Sequence, residues 1–323
     1  MTTAPVPIAS GRPESFAADV RAGLTKTPQK ELPSKYLYDQ LGSRLFDAIC
    51  ELPEYGLTRA DERLLRRHSP EIADQMPGNL LVCELGSGSG GKTRWILEAL
   101  TRRRQISYYP IEISPLALSL CQRELADIDS LAIVGLEREY LDGLRHVSER
   151  RGTDQAILVM FLGSTIGNFS APADLRFLQD IRRLLRPGDF LLLGSDLLKP
   201  IPDLISAYDD TLGVTAAFNL NLLSRVNLEL GADFDLRQFR HEARFNTVTS
   251  SVEMHLRSLR AQTVTIGTHF RVGFQDGETI WTENSHKYSL AEIAEKAQTA
   301  NFRVQAQWVD QQWPFAENLL MAE

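Results

Sequence analysis

The sequence predicts an α/β protein, a doubly wound Rossmann-like parallel sheet with an inserted α+β unit. Three observations carry that prediction. From Leu80 to Leu197, short apolar runs alternate with helical patterns, as in a parallel sheet built of strand–helix–strand units. After Lys199-Pro200 the pattern changes to two helices followed by alternating strands. Two last strand-like segments then follow a late helix and are placed to rejoin the main sheet.

Each element has its own signal. Glu14 to Arg67 reads as helices with loops: "RLFDAICEL" has apolar residues at helical spacing until Pro53, and "RADERLLRRHSPEIADQM" is a charged amphipathic helix. "LLVCEL" (80–85) is a first buried strand, and "KTRWILEALTRRR" a helix. "ISYYPIEI" (106–113) is the second strand, and "PLALSLCQRELAD" the next helix, with Pro115 suited to its first turn. "LAIVG" is a third strand and "AILVMFLG" (156–163) a fourth, apolar throughout as a central parallel strand should be. "DLRFLQDIRRLL" is a helix, "RPGD" a turn and "FLLLGSDL" the fifth strand. Beyond it, "PDLISAYDD" and "TAAFNLNLLSRVNLEL" read as helices. "SSVEMHLRSL" alternates, with Val252, Met254 and Leu256 on one face and Glu253, His255 and Arg257 on the other. "QTVTI" and "HFRVGF" extend an antiparallel set with a turn at "QDGE"; "SLAEIAEKAQTAN" is a helix, and "FRVQAQWV" and "ENLLMA" are the closing strands. The inserted unit spans roughly 200–286 and is joined by the N-terminal segment.

Composition narrows the function. The 323 residues are 43% hydrophobic and 24% charged, enough for a large core, with a net charge of −7. No run of basic residues marks a nucleic-acid face; "RRR" at Arg102–Arg104 and "ERR" at Glu149–Arg151 read as solvated helix ends. A small-molecule partner is expected, with no nucleic acid and no membrane, and the chain is taken as a monomer. Cys50, Cys83 and Cys121 are odd in number and form no C-x-x-C, which fits a reducing cytoplasm and not a zinc site; no metal is expected. "MTTAPVPIASGRPESF" lacks the pattern of a signal peptide, and no apolar stretch reaches membrane-spanning length.

"CELGSGSGGKTRW" is the informative motif. Its letters hold G-x-x-x-x-G-K-T (Gly86–Thr93), a triphosphate loop, and equally acid-x-G-x-G-x-G (Glu84–Gly90), the loop after the first strand that binds S-adenosylmethionine. A triphosphate loop needs Lys92 on phosphate, Thr93 on magnesium and a later strand-end aspartate, for which Asp196 is the candidate. A methyl-donor loop needs an acidic residue at the end of the second strand for the ribose hydroxyls, and Glu112 lies 26 residues past Gly86, near the spacing of about 20 expected for a ribose acid. A carboxylate at Glu84 would repel triphosphate but suits a ligand carrying ammonium and sulfonium groups. "LLRPGDFLLLG" also has the helix–turn–strand form of methyltransferase sheets. The loop alone decides nothing; its surroundings favour a class I methyltransferase sheet with S-adenosylmethionine as cofactor.

"LPEYGLTR", "ELGSGSGGKTR", "VMFLGSTIGN", "SAYDD", "GVTAAFN", "ADFDL" and "TENSHKY" follow one another in an order that closely resembles the S-adenosylmethionine-dependent histidine Nα-methyltransferases of ergothioneine biosynthesis, from about Val20 to the C-terminus. The chain is also similar to fungal enzymes that N-methylate a prenylated tryptophan. The resemblance implies successive methylation of the α-amine of L-histidine to the trimethylammonium betaine, hercynine. It implies a cofactor domain of residues 61–199 and 287–323 and a substrate domain of residues 1–60 and 200–286. It implies that Tyr55 faces the substrate imidazole, that Gly163 presents a backbone group near the amine, and that Asn168 and Tyr208 bind the carboxylate. Glu283 and Ser285 would hold the two imidazole nitrogens, with Tyr38 near the α-amine as the catalytic candidate. Gly86, Lys92 and Glu112 would contact the cofactor. His286, beside the site motif, reads as structural.

Elementary chemistry agrees with these residue types. Asn and Tyr are neutral donors for a carboxylate. Glu283 and Ser285, two apart on a strand, share one face, and a site built to pair ring N–H groups rejects Phe because the carboxylate would be left unpaired. The chain also departs from the family. Asp-Phe is common after the third strand, where the Asp meets the adenine amino group; here Leu136 and Glu137 stand there, and Glu137 is the candidate replacement. Gly56-Leu57 stands in place of Tyr-Pro, and Glu112 in place of the more usual Asp. The alternative substrate is another aromatic amino acid such as a tryptophan derivative, which Glu283 suits less well than it suits imidazole.

Overall fold

The computed structural model describes residues 13–323. The reading of the first residues as no signal peptide, and the start of the 1–60 segment, fall on residues 1–12 and lie outside the described residues. The chain begins with α1 (Pro13–Leu24), the short strand β1 (Lys30–Glu31) and α2 (Gln40–Glu51), which Asp39 starts by accepting the Gly42 amide at 2.7 Å. In α3 (Leu57–Gln75) the buried face holds Leu64, Leu65 and Ile72 but also Asp61. β2 (Leu80–Leu85) is buried throughout, and α4 (Thr93–Thr101), β3 (Ile106–Glu112) and α5 (Pro115–Glu124) follow, with Ser114 capping α5.

The expected third strand, "LAIVG", is shortened to three residues, and a separate two-residue strand follows it. β4 (Leu131–Ile133) pairs with Ile106–Tyr108 at the start of β3, and β5 (Leu136–Glu137) with Ile111 and Glu112 at its end. Val134 between them is 44% exposed, so this apolar run lies at the sheet edge and not in the core. α6 (Tyr140–Arg150), β6 (Ala156–Phe161), α7 (Ala171–Leu184) and β7 (Phe190–Asp196) complete the alternation. Next come α8 (Ile201–Tyr208) and α9 (Val214–Leu230), the latter started by the Asp210 carboxylate on the amides of Val214 and Thr215. The strands are β8 (Phe239–Asn246), β9 (Ser251–Ser258), β10 (Gln262–Ile266), β11 (Phe270–Phe274) and β12 (Thr279–His286). The chain ends in α10 (Leu290–Thr299), β13 (Phe302–Val309) and β14 (Phe315–Ala322), with Ser289 as the α10 cap.

The fold has two compact units, one of Gly56–Leu198 with His286–Glu323, the other of residues 13–55 with Lys199–Ser285. The first is the doubly wound sheet, ordered β13-β14-β7-β6-β2-β3-β4 with β5 beside β3. β7, β6, β2, β3 and β4 are parallel; β14 runs antiparallel to β7 and to β13. Chain order reverses around β2, so its carboxyl end is the position where such sheets bind ligands. One face is apolar, built from Leu81, Cys83, Ile157, Val159, Leu191 and Leu193. The opposite face meets α3 and α4, and carries Glu84 on β2 and Glu317 on β14.

The second unit holds a sheet ordered β1-β12-β9-β8 and the hairpin β10–β11. β8 was not anticipated: "FRHEARFN" is too polar to read as a strand, yet it pairs antiparallel with β9 over its length. His255, on the face opposite Val252, Met254 and Leu256 as the alternation reads, is buried as well. It is 3% exposed, stacks on Trp281 and bonds to Glu253.

Candidate active site

In the first unit, Gly86, Gly88 and Gly90 all have positive φ. At Gly90 a Cβ would stand 2.9 Å from Cys121 Sγ, so a side chain is excluded by space as well as by backbone conformation. This turn leads the chain from β2 into α4. At the end of the neighbouring β3, Glu112 Oε1 accepts the amides of Ile113 (2.8 Å) and Ser114 (3.2 Å), while buried Oε2 has no hydrogen-bond partner. Burial pushes the Glu112 carboxyl up to about 7, against the pull of these amides and of the Gly88 amide. A buried, half-satisfied carboxylate beside a glycine turn is a fitting acceptor for a ribose diol. Leu136 and Glu137 pair with Ile111 and Glu112, Leu136 buried and Glu137 exposed, so β5 flanks the same strand end.

The three parts of a triphosphate site are engaged elsewhere. Thr93 donates its hydroxyl to Glu84 (2.7 and 2.9 Å), which also accepts from Tyr108. Lys92 is ion-paired with Asp61. Asp196 pairs with the buried Lys287 at 2.8 Å and accepts from Trp313 at 3.1 Å. A magnesium site cannot use a threonine and an aspartate already committed to protein groups. Burial raises Glu84 to about 7, with the hydrogen bonds from Tyr108 and Thr93 opposing it.

After β6, Gly163 and Ser164 both take left-handed backbone, and Asn168 ends a short 3-10 turn, Thr165–Asn168. Ser164 Oγ accepts the Asp196 amide at 2.8 Å, tying this loop to the end of β7. A Cβ on Gly167 would lie 2.8 Å from the carbonyl oxygen of His286, in the same unit, so the loop leaves no room for a side chain there. His286 bonds to Glu292 and packs on Tyr288.

The second unit brings Tyr38, Tyr55, Tyr208, Glu283 and Ser285 together. Tyr38 donates to Glu283 Oε1 at 3.3 Å, and the Tyr208 and Ser285 hydroxyls are 2.7 Å apart. The Tyr55 ring stands edge-on to that of Tyr208, 6.0 Å between centroids, and Phe46 joins Tyr38 and Tyr55. Burial first, then nearby Glu283, keeps the Tyr38 hydroxyl protonated well above its usual range; Tyr55 is raised likewise, by burial and then Tyr208. Tyr38 is therefore a neutral donor and not a base. Behind Tyr208, Asn219 donates to His241 Nδ1 at 2.9 Å and to the His255 carbonyl at 3.1 Å. His241 Nε2 therefore carries the proton and donates to the Tyr208 carbonyl at 2.7 Å.

Sequence reasoning missed Phe46, Phe218, Asn219 and His241 around this cluster, and Asp61 and Glu317 in the first unit. Helical periodicity held a signal for Asp61, which shares the buried face of α3 with Leu64 and Leu65. None distinguished Glu317.

A doubly wound sheet with a glycine turn after β2, an acidic residue ending β3 and antiparallel β14 beside β7 suits an S-adenosylmethionine-dependent methyltransferase, and the comparisons show that class and place the chain further. The model of the histidine-specific, S-adenosylmethionine-dependent methyltransferases matches residues 16–322. The chain is 40% identical to a histidine N-alpha-methyltransferase of Mycobacterium tuberculosis over 307 residues, covering 93% of both chains. It is 40% identical to the enzyme of that name from Mycolicibacterium smegmatis, covering 95% of this chain and 94% of that one. It is 33% identical to ergothioneine biosynthesis protein 1 of Neurospora crassa, covering 64% of this chain and 24% of that one. The chain belongs to the histidine-specific, S-adenosylmethionine-dependent methyltransferase family.

Proposed function

We propose that the enzyme transfers methyl groups in succession to the α-amine of L-histidine, ending at Nα,Nα,Nα-trimethylhistidine, hercynine, for ergothioneine biosynthesis. The observation that carries the substrate is the pair Glu283 and Ser285 on one strand, each bonded to a tyrosine hydroxyl. A carboxylate and a hydroxyl at this spacing can pair with two ring nitrogens, one donating and one accepting. An indole has one ring N–H and leaves half of that pair unused, so imidazole suits it better than a tryptophan derivative.

S-adenosylmethionine, when bound, supplies the methyl group on a sulfonium. Gly86, Lys92 and Glu112 are assigned to hold it, with Leu136 and Glu137 beside the adenine. Gly163 is assigned to the amine and Asn168 to the substrate carboxylate; in the other unit, Tyr55 walls the imidazole and Tyr208 offers its hydroxyl to the carboxylate. Charge moves from sulfur to nitrogen in the transfer and little new charge forms. Catalysis then rests on alignment, with reacting atoms held about 3–3.5 Å apart. Tyr38, protonated and bonded to Glu283, orients the amine, and water takes the amine proton. The substrate domain is taken as residues 1–60 and 200–286 and the cofactor domain as 61–199 and 287–323. The protein is taken to work as a cytoplasmic monomer without nucleic acid; three buried thiols suit a reducing compartment. No helix among the described residues is long and apolar enough to cross a membrane.

A time course with L-histidine and excess S-adenosylmethionine, read by mass spectrometry, tests the end point. Products one, two and three methyl groups heavier should appear in that order, with the third accumulating. A reaction that stops at one methyl group contradicts the trimethyl product.

A further inference from the structure

On the α3/α4 face of the first unit, three carboxyl groups and one lysine are packed together. Asp61, Glu84 and Glu317 are 0%, 3% and 1% exposed. Two have clear partners: Asp61 with Lys92, and Glu84 with Thr93 and Tyr108. Glu317 differs. No neighbouring group donates a hydrogen bond to either of its oxygens or to Asp61 Oδ1, and the two carboxyl groups can bond to each other only by sharing a proton.

The position of Glu317 gives this a direction. On β14 it stands opposite Gly194 of β7, near the carboxyl end of the parallel strands. Its Oε1 is 3.0 Å from the point a Cβ on Gly194 would occupy, and the Gly163 nitrogen is 3.1 Å from the same point. A glycine at position 194 thus leaves room for the carboxyl group beside Gly163, the residue assigned to the reacting amine. No three His, Cys, Asp or Glu side chains among the described residues are arranged to hold a metal ion.

The ionisable groups facing Glu317 are Asp61 from α3, Lys92 from the glycine turn and Glu84 from β2. Three carboxylates against one ammonium leave an excess of buried negative charge, which is costly. A proton on Glu317 halves it: burial first, and Asp61 second, hold the Glu317 carboxyl well above its usual range.

We propose that Glu317, with Asp61, is a charge sensor for the methyl donor. It holds a proton in the unliganded protein and releases it to solvent when the sulfonium-bearing donor binds. The site then favours the cationic donor over its demethylated product, whose sulfur is neutral, and product release is assisted as the carboxyl regains its proton. The inference rests on the cofactor reading of the glycine turn. It adds a residue that the glycine motif does not contain.

Calorimetric titration in two buffers of different ionisation enthalpy, at pH 7.5, counts the protons released on binding. S-adenosylhomocysteine shares the ribose and amino-acid groups, so protons from Glu112 appear with both ligands, and any from Glu84 appear in both the wild type and the Glu317 variant. The wild-type protein should release more protons with S-adenosylmethionine than with S-adenosylhomocysteine. In Glu317→Gln the excess over S-adenosylhomocysteine should shrink, and preference for the donor should fall about tenfold. Because each ligand's own ionisation is common to both proteins, the difference between them belongs to Glu317. Retained S-adenosylhomocysteine affinity, within about twofold, shows that the variant is folded. An unchanged excess in the variant, or none in the wild type, overturns the sensor while leaving the cofactor reading intact. If the wild type binds neither ligand, both fall.

Discussion

Glu112 illustrates how much a single buried carboxyl contributes. Its folded-state value is raised from 4.5 to about 7 by burial. The stability linked to this group is therefore fully present below 4.5 and is lost as pH rises through 7, because the native state must then bury a charge. Glu112→Gln removes that loss. Without cofactor, the Tm of the variant relative to wild type should rise between pH 5 and pH 8. Its affinity for S-adenosylmethionine should fall about tenfold or more, as a charge-assisted bond is lost. A difference in Tm that stays flat with pH contradicts the reading. Glu283→Gln should weaken histidine binding far more than cofactor binding, and equal losses by calorimetry would make Glu283 merely structural. At His241, alanine leaves Asn219 and the Tyr208 carbonyl without their partner. A rise in KM for histidine is expected, with cofactor affinity kept; a fall in cofactor affinity of the same size would contradict a role behind Tyr208. The Glu283–Ser285 pair was legible because two residues apart on a strand means one face. Asp61 was overlooked among Arg59, Glu62 and Arg63 despite its helical spacing with Leu64 and Leu65, and nothing in "FAENLLMA" marks Glu317 as buried until β14 joins the sheet.

At the scale of elements, α6 is held against the end of β3 by Gly143. A Cβ there would lie 2.4 Å from Ile111, the residue before Glu112. Gly143→Ala should force this helix off the strand, at a cost of about 1–3 kcal/mol for overpacking, read as a lower Tm. Cofactor affinity should fall with it, because Ile111 sets the strand end that carries Glu112. A variant with wild-type Tm would show that the contact is easily relieved. The central strands were readable because β2, β6 and β7 are buried on both faces and almost wholly apolar. β8 was hidden by its composition: only Phe239 and His241 are buried, and the rest of its side chains are half-buried or exposed. β1 is two residues long and owes its existence to pairing with Ile280 and Trp281, some 250 residues later, which no local pattern announces.

At the scale of the whole molecule, alternation of strands and helices foretold the doubly wound sheet, and the change after Lys199-Pro200 foretold the insertion. Strand order was legible only as far as the general rule for such sheets, and the partner of each antiparallel strand was set by tertiary pairing. A monomer of 36.3 kDa should sediment as one species over a wide concentration range, and a dimer would correct the proposed state. The central claim is that this enzyme methylates the amine of histidine. It is tested most directly by incubating the protein with S-adenosylmethionine and an equimolar mixture of histidine, tryptophan, tyrosine and phenylalanine, followed by mass spectrometry. The account expects methyl groups on histidine alone, at the α-nitrogen. Methylation of tryptophan at a comparable rate, or no methylated histidine, would contradict it.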